Sequence, residues 1–174
     1  VANYGDTSSA SFILLGNIKL DQDRNPVYKK YFTHLPKIFG ESALLDRFHG
    51  FIEGWKLPRI HEDLIVDGYA LNVEYFSEIL HSMRTSSKFR VMVDELLEIP
   101  SNADTRDTRA IKRICTAYLK LLFPHIDSSR EISREEFELY CLKPALKMRS
   151  IIREQMHFID KEYEPEIPPI RVKK

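Results

Sequence analysis

Cysteine is scarce: two residues, Cys115 and Cys141, stand among 174, and no CxxC spacing joins them. That excludes zinc-ribbon and dithiol redox chemistry. Each lies in an apolar, helix-like stretch and reads as a reduced core thiol. No run approaches the ~20 apolar residues needed to span a bilayer, and no signal peptide opens the chain. Both absences point to the cytoplasm and away from membrane partners. Charge of one sign is not in excess either, with 26 Lys and Arg against 26 Asp and Glu. No global field advertises nucleic acid, which leaves only a local basic face for such a partner. The six histidines share no ligand spacing and HExxH is missing, so no metal residues are assigned. GxxxxGK[ST], GxGxxG and GxSxG are also missing, which excludes a phosphate loop, a dinucleotide fingerprint and a hydrolase elbow within these residues. The LIVD stretch at 64–67 has the look of a Mg²⁺-binding strand end. Its apolar run is only three residues long and Gly68 follows, so it reads as a turn.

What is present suits a packed, mostly helical chain: hydrophobic residues make up 43 % and charged residues 30 %, so disorder is not the default. Residues 11–18 (SFILLGNI) are short and apolar on both faces, as a buried parallel strand would be. Residues 41–51 have helical spacing at Leu44, Leu45 and Phe48. Leu71, Tyr75, Ile79 and Met83 form a helical stripe, and residues 89–99 predict a short helix ending before Pro100. A polar connector over 100–107 leads to the clearest helix, 108–123, with Ile111, Ile114, Cys115, Tyr118, Leu119 and Leu122 on one face. Pro124 ends it. Ser133 and Glu136 have capping-box spacing, and a helical pattern then runs to about Tyr163, which Pro144 should kink or split. The tail 164–174, with three prolines, reads as an extended linker. The expected organisation is one strand followed by five or six helices: 1–60 as the end of an α/β core, 61–163 as a helical subdomain and 164–174 as linker.

Three polar positions stand out. Asn17 follows the apolar run, where an amide at a strand end can orient water or a phosphate oxygen; a turn-forming Asn after Gly is the plainer account. Arg47 lies beside the stripe of its helix, either as a snorkelling surface residue or as a guanidinium offered to a neighbouring phosphate. Arg109 lies near the start of the strongest helix, either to meet a phosphate there or to pair with Asp104 or Asp107.

The blocks SFILLGNI, SALLDRFHGFIEGWKLPRI, TRDTRAIKRICTAYLKLLFP, SREEFELY and ALKMRSIIREQ, in this order over residues 8–160, resemble the AAA+ module of the Lon-like BrxL family of BREX phage-defence systems. Proteins described as ATP-dependent Lon-type proteases share the pattern. More distantly the order is similar to minichromosome maintenance helicases, with an LLxRF block and a TxR block before a lid helix. The resemblance implies a mostly α carboxyl-terminal part of an AAA+ module with a helical lid. It implies Asn17 as sensor 1, Arg47 as an arginine finger acting in trans, and Arg109 as sensor 2. It further implies ATP and Mg²⁺ as cofactors of the full-length parent, self-association into a ring, and a DNA or protein substrate. The phosphate loop and the acidic Mg²⁺ strand are then expected before residue 1, and the protease Ser–Lys dyad after the tail. A chain that starts at Val1 in front of an apolar run fits a fragment, which alone is expected to hold no cofactor and to hydrolyse no ATP. A different expectation is a non-enzymatic helical module that binds protein or DNA through the Arg109, Lys112, Arg113 and Lys120 face.

Overall fold

The computed structural model describes residues 11–32 and 35–173. The chain is mostly α. Its helices are α1 (Ser42–Leu45), α2 (Val73–Met83), α3 (Lys88–Leu96), α4 (Thr105–Leu122), α5 (Arg134–Phe137) and α6 (Lys143–Ile159). A π-helical turn, Glu138–Leu142, joins α5 to α6. Two short strands, β1 (Leu97–Glu98) and β2 (Arg171–Val172), pair antiparallel.

Helix α4 is the hub, because its apolar stripe meets α3 on one side and the α5–α6 arm on the other. Phe89, Val93 and Leu96 of α3 pack on Ile111, Cys115 and Leu119 of α4, with Phe137, Cys141 and Ala145 closing the core. A second cluster joins Phe32 and Leu45 to Ile152 and Met156 of α6, rimmed by Tyr31, Phe39, Phe48 and Phe51. Helix α6 thus serves both clusters, through Ala145 near its start and through Ile152 and Met156 further on.

The capping box forms as expected: Glu136 N–H donates to Ser133 Oγ at 3.1 Å, and Ser133 N–H to Glu136 Oε2 at 3.1 Å. Pro144 falls in the first turn of α6, where its missing N–H costs little, and the widened turn before it separates α5 from α6.

Four expectations need correction. Residues 11–18 are not a buried strand: they make no ladder with any described residue, and Phe12 (89 %) and Leu15 (95 %) are exposed. A parallel strand needs partner strands, and among the described residues none lies alongside. The helix expected over 41–51 is a single turn. Past it, Phe51 N–H donates to Met148 O at 3.0 Å, and a Cβ at Gly50 would lie 2.8 Å from Met148 Cβ. That close approach draws the backbone out of helical geometry onto α6. The stripe from Leu71 to Met83 is mostly solvated: Leu71 precedes α2 and Tyr75 is exposed, while Met83 packs against the core. Lastly, α4 begins at Thr105, because Asp104 is its N-cap and accepts from Arg106 N–H at 2.7 Å.

The tail is extended, as its prolines dictate, yet it is docked. Ile170 is buried, Leu97 pairs with Val172, and Lys173 N–H donates to Leu96 O at 2.8 Å. Among the described residues no helix is long and apolar enough to cross a membrane, and no three His, Cys, Asp or Glu side chains gather as metal ligands do.

Candidate phosphate-binding hollow

One turn of α1 ends at Leu45, whose side chain is buried in the second cluster. The chain then turns through Asp46 and Arg47 to Phe48, which packs among the aromatics. Burying Leu45 and Phe48 forces Arg47, between them, outwards. On the facing surface, Ala110 and Ile111 of α4 point into the protein, so Arg106, Arg109 and Arg113 stand on the outer side at helical spacing.

These residues enclose an open hollow of about 360 Å³, lined by Arg47, Arg106, Arg109 and Arg113, with His49 beside them and Asp46 at the floor. Arg106 is paired with Asp46. Among the described residues Arg47, Arg109 and Arg113 have no acidic partner. Arg47 instead folds back to donate to Ala43 O of its own helix. Arg113 Nη1 lies 2.8 Å from His49 Nε2. Burial, then the charges of Arg113, Arg149 and Arg109, hold His49 below the ordinary imidazole value, so at neutral pH its ring is uncharged and accepts from Arg113.

Three guanidiniums without carboxylates, converging on one concavity, repel one another and attract a multiply charged anion. Their planar forks match phosphate oxygens. The floor carboxylate is spent: burial alone would raise the Asp46 pKa, but hydrogen bonds and charge from Arg106 and Arg149 outweigh it and hold the group below its ordinary value. It is therefore a poor metal ligand, while the arginines fit a phosphate chain.

Beneath the hollow lies a buried ionic cluster. Arg149 of α6 is 0 % exposed, and its Nε donates to Asp107 Oδ1 at 2.6 Å while its Nη2 donates to Asp46 Oδ1 at 2.7 Å. Its Nη1 reaches the carbonyl oxygens of Asp46 at 3.1 Å and Phe48 at 2.6 Å. Arg153 Nε stands 3.3 Å from Asp107 Oδ2.

Of the three positions singled out in the sequence, Arg47 and Arg109 line the same hollow, whereas Asn17 lies outside it, exposed in the 11–18 segment. The alternative partners for Arg109 are otherwise engaged: Asp107 bonds Arg149, and Asp104 caps α4. That cap also occupies backbone N–H groups at the helix start, so Arg109, a turn further on, presents its side chain alone. The basic face proposed for a binding module is broken up. Lys112 pairs with Asp94 at 2.6 Å, and Lys120 Nζ donates to Met83 O at 2.7 Å.

Asp46, Arg106 and Arg149 do not stand out in the sequence, His49 enters only among histidines without ligand spacing, and Asp107 only as a possible partner of Arg109 rather than of Arg149. A signal for Arg149 was present: it falls four residues after Ala145 and three before Ile152, on the apolar stripe of α6, where a charge must find buried partners.

Comparison with known proteins adds a family. The model of the Lon-like protease BrxL-like ATPase domain matches residues 2–168. A Lon-like protease BrxL from Escherichia coli O9:H4 (strain HS) is 29 % identical over 147 residues, 84 % of this chain and 20 % of the relative. One from Bacillus cereus (strain H3081.97) is 28 % identical over 150 residues, 86 % of this chain and 21 % of the relative. The chain thus spans about a fifth of the length of the curated relatives it matches.

Proposed function

Since this chain belongs to the Lon-like protease BrxL-like ATPase-domain family, we propose that it supplies the cationic half of an ATP-hydrolysing site in a ring-forming AAA+ protein. The reading rests on one observation: Arg47 and Arg109 line a single open hollow and lack acidic partners among the described residues. Arg47 acts as an arginine finger on ATP held by a neighbouring subunit. Arg109 places a second cation on the same triphosphate. Phosphoryl transfer spreads negative charge over the γ-phosphoryl oxygens, and guanidiniums already in place stabilise it without reorganisation. ATP and Mg²⁺ are the parent's cofactors. Bound Mg²⁺ would neutralise charge on the phosphates, and Asp46, committed to Arg106 and Arg149, would not be among its ligands. Asn17, away from the hollow, is assigned to orienting water at the subunit's own nucleotide. The stretch to residue 60 is then the end of the α/β core, with the helical lid over 61–163 and a Pro-rich segment over 164–174. The ring works as a cytoplasmic phage-defence motor, whose substrate is DNA or protein.

The test is ATP hydrolysis by the full-length protein. Arg47→Ala is expected to lower kcat about 10³-fold or more, with the Kd for ATP nearly unchanged by equilibrium binding. A wild-type kcat in that variant overturns the reading, and loss of ATP binding or of assembly in its place assigns Arg47 a structural role.

A further inference from the structure

Arg47 stands on backbone with little stability of its own. Helix α1 is four residues long, far below the length at which a helix holds itself together, and the chain after it is irregular. The side chain is exposed and, among the described residues, bonds only to its own turn. Whatever aims Arg47 must therefore hold the backbone on either side of it.

Arg149 does so from both sides. One nitrogen, Nη1, donates to the carbonyl oxygens of Asp46 (3.1 Å) and Phe48 (2.6 Å), the residues before and after Arg47. Nη2 takes the Asp46 carboxylate at 2.7 Å, and Nε takes the Asp107 carboxylate at 2.6 Å. Asp107 lies on α4 two residues before Arg109. A single planar guanidinium thus ties the α1 turn to the helix that forms the other wall of the hollow. Arg106 closes the circuit from the solvent side by pairing with Asp46.

We propose that Arg149 is a positioning residue that aims Arg47 at the phosphate, through the carbonyls of Asp46 and Phe48 and with Asp107 as its anchor. The proposal rests on the reading of Arg47 given above. Any buried guanidinium needs acceptors for its N–H groups beyond the two carboxylates that balance its charge; here those further acceptors are the carbonyl oxygens of the residues on either side of one exposed arginine. Lysine cannot replace it, because an ammonium lacks the rigid fork that reaches all four acceptors at once.

The experiment is a double-mutant cycle in the full-length protein, measuring kcat, ATP affinity, assembly and melting temperature for Arg149→Lys, Arg47→Ala and the double variant. The expected result is a fall in kcat of about 10²-fold for Arg149→Lys, the scale of loss from a displacement of about 1 Å. ATP affinity should be nearly unchanged, and kcat should fall no further when Arg149→Lys is added to Arg47→Ala. A damaged core slows both backgrounds alike, so additive losses overturn the proposal, as does a wild-type kcat for Arg149→Lys beside a slow Arg47→Ala. A wild-type kcat for Arg47→Ala sinks the phosphate reading itself, and the positioning role with it. Should Arg149→Lys fail to fold, Asp46→Asn takes its place. It removes one charged acceptor at constant size and carries the same expected pattern.

Discussion

Partial burial and the charges of Arg113, Arg149 and Arg109 lower the pKa of His49, so its protonation opposes the fold. The unfolded chain takes up a proton as pH falls through the ordinary imidazole value of about 6.5, while the folded chain does so only at lower pH. Stability at this residue is therefore complete above that value, declines as pH drops below it, and levels off below the folded pKa. His49→Gln is expected to flatten part of the pH dependence of the urea midpoint between about pH 7.5 and about pH 5. Equal slopes for both proteins would show that His49 does not titrate this way. At this scale the sequence was half legible. Arg47 and Arg109 stand out because they sit beside strong apolar stripes, and both line the hollow. Arg149 does not stand out, because a charged residue in a helical stripe is read as surface until its partners are known. Those partners, Asp46 and Asp107, are 103 and 42 residues away in sequence.

Among the elements, local signals were the dependable ones. The Ser133–Glu136 box is self-contained over four residues and forms as written. Ser133→Ala removes the acceptor for the Glu136 N–H and is expected to cost about 1 kcal/mol, lowering the melting temperature by about 2–4 °C in a chain of this size. Calorimetry checks it, and an unchanged transition would mean the α5 end is already frayed in the wild type. Pro144 was legible for the same reason, since its effect is confined to the adjacent turn. The run at 11–18 was not, because whether apolar residues become a strand depends on neighbours elsewhere in the chain. The start of α4 was missed by three residues because Asp104 looked like one more polar residue in a connector, although it is the cap.

For the whole molecule, α6 contributes residues to both core clusters. Both thiols lie in the larger cluster, with Cys115 Sγ donating to Cys141 O at 3.5 Å. Burial pushes the Cys141 thiol up to about 12, and burial together with Cys141 pushes Cys115 higher still. Neither supplies thiolate at neutral pH in the folded state. Labelling with an aromatic disulfide reagent is expected to be slow in buffer and to accelerate along the urea unfolding curve; rapid labelling of either thiol before that transition would reveal a separate opening of the α3–α4 layer. Mostly helical architecture was legible at this scale. The docking of the tail was not, because a two-residue pairing between 97–98 and 171–172 leaves no periodic trace.

That pairing gives the domain a mechanical grip. Lys173 is bonded through its N–H to Leu96 O and through its side chain to Asp94 O, 79 residues earlier in the chain. Tension applied at residue 173 is therefore shared with the end of α3, which packs on α4, the helix that carries the arginines on its outer face.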